Sequence, residues 1–133
     1  MAFRFEFDQV HRILLVRFEG RVTEELIAEC YRATPKYSTT TGARACILDF
    51  SSATELALSS DFLHALALEP VLPAGLLRHC FIIAPTAYEF GLARMFQMEG
   101  EHTRPLLEVV HAMNEALAAL GVQSPHFEPL AVC

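Results

Sequence analysis

The sequence predicts an α/β domain: an N-terminal antiparallel hairpin, then βα units forming a mainly parallel sheet with helices packed on it. Three observations carry this. Residues 3–7, Phe-Arg-Phe-Glu-Phe, alternate strictly and read as a half-buried antiparallel strand. Residues 45–50 (ACILDF) and 79–84 (HCFIIA) are apolar at nearly every position, as strands covered on both faces are. Helically spaced apolar residues separate these runs, and strands alternating with helices build parallel sheets.

The hairpin comes first. Phe3, Phe5 and Phe7 face one way, Arg4 and Glu6 the other. Asp8 to His11 turns the chain, Arg12 to Glu19 returns as the second strand, and Gly20 closes the hairpin. Thr23 is placed to cap a helix whose first turn sets Glu24 and Glu25 against the positive end of the helix dipole. Leu26, Ile27, Cys30 and Tyr31 form its buried stripe. Pro35 is expected to end it near Thr34, because a residue before proline avoids the helical region. Lys36 to Gly42 then reads as a loop. After the strand at 45–50, a short loop from Ser51 to Leu58 leads to Ser59 and Ser60, either of which can cap the next helix. That helix buries Phe62, Leu63 and Leu66, and Pro70 with Pro73-Ala74-Gly75 marks its end.

The chain is organised around residues 78–101, RHCFIIAPTAYEFGLARMFQMEGE. Pro85 stops the strand because it has no N–H for a ladder, and Thr86 caps the following helix. At about 100° per residue, Tyr88, Leu92, Met95 and Phe96 share the side expected to face the sheet, with Phe90, Arg94 and Gln97 opposite. Gly91 within the helix signals close packing. Leu106 to Val110 is a last, shorter strand, and Met113, Leu117 and Leu120 are the stripe of a helix stopped by Gly121. Residues 1–121 thus read as one domain, and 122–133, with Pro125 and Pro129, as an irregular tail. The strands at 45–50 and 79–84 are expected to be adjacent, parallel and central, because they lack alternation.

With 133 residues the chain can bury about two-thirds of the surface it exposes unfolded. Its 53% hydrophobic content suits a sheet buried on both faces, an oligomer interface, or both. The net charge of −6 and scattered Lys and Arg exclude a nucleic-acid footprint. No apolar run approaches the ~20 residues of a membrane span, and the acids in MAFRFEFD do not suit a signal peptide. A cytoplasmic location is expected. The cysteines form no Cys-x-x-Cys pair, and Cys46 and Cys80 read as small core residues.

The order of elements resembles the STAS domain, and within it the small stand-alone SpoIIAA-like proteins. The resemblance runs to Gly121 and is most specific at Tyr88-Glu89-Phe90-Gly91-Leu92-Ala93-Arg94-Met95-Phe96-Gln97, which is similar to the family's fGlaRmfq helix. Ile47-Leu48-Asp49-Phe50 is similar to its hydrophobic-Leu-Asp strand, and Glu115-Ala116-Leu117 matches in the last helix. The resemblance implies the SpoIIAA-like/STAS-like fold. In the anti-sigma antagonists of this family, a loop Asp-Ser-Ser/Thr-Gly carries a hydroxyl that a partner kinase phosphorylates. The matching segment here is Leu58-Ser59-Ser60-Asp61-Phe62-Leu63. Aligned on Leu63, Asp61 takes the phosphorylated position and Phe62 replaces the glycine, so the switch motif is broken.

The histidines have no metal-ligand spacing, Ser59, Ser60 and Cys30 have no identifiable base, and no phosphate-binding glycine loop is present. No cofactor or metal is expected. Asp49 stands at a strand's C-terminal end, where α/β sheets place ligand-binding groups. With Ser59, Ser60 and Asp61 it makes a candidate ligand or regulatory loop. Phe90, Arg94 and Gln97, an outward aromatic beside an arginine, have the composition of a partner interface. The leading expectation is a non-enzymatic interaction or ligand-binding module, homodimeric, with a protein partner or a small apolar ligand. Two alternatives stay open: a small hydrolase or transferase using Asp49 and the Ser59-Ser60-Asp61 loop, and a binder of lipid or another apolar molecule.

Overall fold

The computed structural model describes residues 3–69 and 79–130, which fold as β1 (Phe3–Asp8), β2 (Ile13–Thr23), α1 (Glu24–Thr41), β3 (Ala45–Ala57), α2 (Ser60–Leu68), β4 (His79–Ile83), α3 (Ala87–Glu99), β5 (Leu107–Val110), α4 (Met113–Leu120) and β6 (Glu128–Pro129). The strands form one sheet in the order β5-β4-β3-β2-β1-β6. β1 pairs antiparallel with β2 and β6, while β2, β3, β4 and β5 run parallel. β3 and β4 are thus adjacent, parallel and interior, as their unbroken apolar runs require. This is the mixed, mostly parallel α/β architecture expected.

Each sheet face has its own core. Phe3, Phe5, Phe7, Leu14, Val16, Phe18, Cys46, Phe50 and Ile82 lie on one, where Leu26, Ile27 and Tyr37 of α1 and Leu92 and Phe96 of α3 cover them. Ile13, Leu15, Ala45, Ile47, Phe81 and Ile83 lie on the other, under Ala116, Met113, Leu117 and Leu120 of α4. Alternation along β1 sends Phe3, Phe5 and Phe7 to the first core and turns Arg4, Glu6 and Asp8 to the other face. Its second face is also covered: Glu6 and Asp8 are buried.

Gly20 does not close the hairpin. It sits at φ +70° between two register shifts, and β2 runs on to Thr23. The expected loop at 51–58 is in large part the extension of β3, pairing with β2 through Ala57. Val22 and Leu56 are register partners and both buried, which anchors this otherwise polar stretch.

Pro35 does not end α1, which continues to Thr41 and closes on Gly42 at φ +69°. An interior proline costs about 3 kcal/mol, so the second half of the helix must be held from outside. Tyr37 does this by stacking on Phe5 with centroids 4.0 Å apart, and Thr34 Oγ1 donates to the Cys30 carbonyl at 2.7 Å. The caps fall where their side chains predict. Thr23 accepts from the Leu26 amide, Ser59 from Phe62 and Thr86 from Glu89, and Gly121 at φ +73° closes α4.

The tail expected to be irregular adds β6 to the sheet, with the Leu130 amide donating to the Phe5 carbonyl at 2.9 Å and Phe127 packed on the second core. The expected stop at Pro70 and Pro73-Ala74-Gly75 lies outside the described residues; α2 reaches Leu68.

Candidate functional site

The first core is incompletely filled. Between α1, α2, α3 and the sheet lies a cavity of about 90 Å³, partly open to solvent. Its floor is Leu48, Phe50 and Leu56 of β3 with Ile82 of β4, and its walls are Ile27, Leu63, Leu66, Leu92 and Phe96. Alternation along β3 makes the floor: Leu48 and Phe50 point here, while Ile47 packs in the opposite core. Ala93 is the small residue that lets α3 approach the strands, and it too lines the space.

Glu89 is the one ionisable side chain in this lining, and it is only 6% exposed. The local sequence places it. Thr86-x-x-Glu89 closes a capping box in which Glu89 Oε1 accepts from the Thr86 amide at 3.3 Å and hydroxyl at 3.0 Å, while Thr86 Oγ1 accepts from the Glu89 amide at 3.1 Å. The positive end of the α3 dipole favours a carboxylate in this first turn. The result is an apolar chamber bordered by Glu89, whose carboxylate is turned to the cap of α3. That arrangement can hold a small apolar group.

The residues singled out from sequence are not gathered here. Asp49 lies in the middle of β3 because the strand runs on, and it shares the opposite sheet face with Ile47. Buried at 6% exposure, it sits 3.3 Å from Arg17 Nη1 and accepts from the Ser51 amide at 2.9 Å. Arg17 also bonds Glu6 at 3.0 Å, Arg4 bonds the same carboxylate at 2.9 Å, and Arg4 pairs with Glu19. Asp49 thus belongs to an ion-pair network across three strands.

Ser59 is the cap of α2, and its amide donates to Glu24 Oε2 at 2.8 Å. Ser60 and Asp61 follow as exposed residues of the first turn. Among the described residues no hydrogen bond or ion pair links Asp49 to this loop. Its parts are separated by the sheet and by the rest of β3.

The faces of α3 are turned from their expected positions. Tyr88 is 62% exposed, whereas Phe90 is half-buried and stacked on His111 with centroids 4.1 Å apart. Gln97 donates to the Leu107 carbonyl at 2.7 Å, and exposed Arg94 bonds Gln97. The outward aromatic is therefore Tyr88, and Phe90 packs toward β5. Leu92 and Phe96 do face the core. Gly91 is exposed, and an added Cβ would meet nothing within 4 Å, so close packing is not its reason.

Among the described residues, no group of three or more His, Cys, Asp and Glu side chains is gathered to hold a metal ion. No helix there is long and apolar enough to cross a membrane.

No protein-family model and no curated protein sequence matches the chain. Solved structures do. An uncharacterized DUF3478-family protein with a SpoIIAA-like fold from Shewanella loihica PV-4 is 19% identical, with 90% of this chain and 92% of that one covered at a TM-score of 0.55. The unphosphorylated anti-sigma factor antagonist SpoIIAA is 12% identical, covering 89% and 96% at 0.56. The phosphorylated Bacillus cell fate determinant SpoIIAA is 14% identical, covering 90% and 99% at 0.51. Strand order, helix placement and these likenesses agree: the chain has a SpoIIAA-like fold.

Proposed function

We propose that this chain is a non-enzymatic binding module whose ligand is a small apolar molecule, or the apolar end of a longer one such as a lipid, seated between α1, α2, α3 and the sheet. The observation that carries this reading is the chamber itself, whose accessible lining is apolar on all sides. A cavity of about 90 Å³ has room for a short aliphatic group; engineered apolar cavities of about 150 Å³ stay dry and take benzene.

Titration with a series of n-alkanols, followed by methyl NMR, tests this. Affinity should rise about fourfold per methylene, the equivalent of about 0.8 kcal/mol, until the space is full. Shifts should centre on Leu48, Ile82 and Leu92, with Ile47 and Leu15 of the opposite core as internal controls. Leu92→Trp, which fills the chamber, should abolish the shifts while circular dichroism stays native. Equal shifts in both cores, or none, would sink the proposal.

A second reading is a protein-interaction module, homodimeric through α3. It is supported by the SpoIIAA-like fold and by Tyr88, Gly91, Met95 and Met98, which share one side of α3 with Tyr88 62% and Met98 63% exposed. Arg94, exposed on the same helix, supplies a charged rim; Phe90 and Gln97, engaged with His111 and Leu107, support that face from behind. Met98→Glu is expected to move the protein toward monomer in analytical ultracentrifugation. An unchanged mass removes this face from self-association.

A further inference from the structure

Three cysteines meet on the cavity side of the sheet. Cys46 and Cys80 are lateral partners in the β3–β4 register, and buried Cys30 of α1 packs in the same core. The Cys46 and Cys80 side chains therefore project from the same face of the sheet on neighbouring strands. Neighbouring strands run about 4.7–4.9 Å apart, within the roughly 4.4–6.8 Å Cα separation that a disulfide spans. Cys46 is 1% exposed, and Cys80 is partly accessible.

Arg104 supplies the electrostatics. Its guanidinium lies 5.1 Å from the Phe96 ring centre and 5.7 Å from that of Tyr31, with Nη1 donating to the Ala67 carbonyl at 3.1 Å. Its Nη2 is buried without an oxygen or nitrogen partner, an expensive position for a cation unless an anion lies near. The hydrogen bond from Cys46 and the charge of Arg104 hold the Cys80 thiol below its ordinary value against the opposing effect of burial. The same hydrogen bond, together with burial, pushes Cys46 well up, and burial pushes Cys30 up to about 12. Cys80 is thus the most acidic of the three thiols, the one from which a nucleophile forms most readily.

We propose that Cys80 and Cys46 form a redox pair, in which Cys80 is oxidised by a hydroperoxide and Cys46 resolves it as a cross-strand disulfide. The Cys80 sulfur attacks one peroxide oxygen. The O–O bond breaks, the leaving oxide takes a proton, and Cys80 becomes a sulfenic acid. The Cys46 sulfur then attacks the Cys80 sulfur, forming the S–S bond as the S–O bond breaks, and hydroxide leaves with the Cys46 proton as water. Two thiols lose two electrons in all, and the peroxide gains them. Leu48 and Ile82 of the cavity floor stand two residues beyond the pair on the same strands. The bond would thus tie the two strands that form that floor, although the chemistry does not require a ligand there.

The full chain, treated with one equivalent of hydrogen peroxide and mapped without reduction, should lose about 2 Da and yield a Cys46–Cys80 linked peptide that dithiothreitol reverses. Cys46→Ser should give no link and should instead let dimedone trap Cys80 as its sulfenic acid. Arg104→Gln should slow alkylation of Cys80 by iodoacetamide several-fold at neutral pH, with Arg104→Lys restoring part of the rate. A linkage through Cys30 or Cys133 in place of Cys46–Cys80 overturns the assignment. So does failure of the native chain to form the link together with failure of dimedone to trap Cys80 in Cys46→Ser.

Discussion

Phe18→Ala should lower the free energy of unfolding by about 3–5 kcal/mol in urea denaturation, the largest loss expected from any single truncation discussed here. Phe18 is 1% exposed, stacked on Phe50 with centroids 4.4 Å apart and planes within 2°, and 6.0 Å from the Phe3 ring. Its removal strips contacts from β1 and β3 at once and leaves a void beside Phe3 and Phe50. Because Phe50 is also part of the cavity floor, the variant should bind alkanols less selectively as well as unfold sooner. A loss below about 1 kcal/mol would mean that the aromatic stack is not a packing centre.

Asp8→Ala should cost about 1–3 kcal/mol, because the substitution leaves two part-buried main-chain donors without their acceptor rather than merely deleting a contact. Asp8 is 1% exposed. It accepts from the His11 amide at 2.9 Å and the His126 amide at 3.0 Å, and lies 3.0 Å from His11 Nδ1. Burial pushes this carboxyl up, but the hydrogen bonds from His11 and His126 reverse that, leaving its pKa below the ordinary carboxylate value. A carboxyl depressed in the folded state favours folding above its unfolded pKa of about 3.9, and this contribution is lost as the pH falls through the folded value. Stability should therefore decline below about pH 4, and Asp8→Ala should flatten that part of the curve. If the variant keeps the full acid slope, other carboxylates account for it.

What the sequence made legible is local. Thr23, Ser59, Thr86 and Gly121 act on main-chain groups within a few residues, so their roles survive without knowledge of the rest. The uninterrupted runs at Cys46–Phe50 and Cys80–Ala84 likewise announce strands covered on both sides. What stayed hidden depends on distant partners. Ser51 to Ala57 looks like a polar loop until Leu56 is seen opposite Val22, and Pro35 looks terminal until Tyr37 is seen on Phe5. Periodicity placed Leu92 and Phe96 correctly. It misplaces Tyr88 and Phe90, because the buried side of α3 is centred on Glu89, Ala93 and Phe96 rather than on Tyr88 and Met95. Asp49 was drawn to the wrong end of its strand by the same underestimate of β3. The cavity had no signature at all, being assembled from β3, β4 and three helices. Only the Thr86-x-x-Glu89 spacing hinted that its carboxylate would be held.

The hydrogen bond from Gln97 to the Leu107 carbonyl has a consequence for association. β5 is an outer strand of the sheet, and an open strand edge invites another chain to add to it and, in the extreme, to seed fibrils. Both main-chain groups of Leu107 are already satisfied, its amide by the Arg104 carbonyl at 3.2 Å and its carbonyl by Gln97. At the opposite margin β6 is two residues long and ends in Pro129, which has no N–H to offer. Strand addition is thus discouraged at both margins of the sheet. Concentrated solutions should therefore resist edge-to-edge polymerisation.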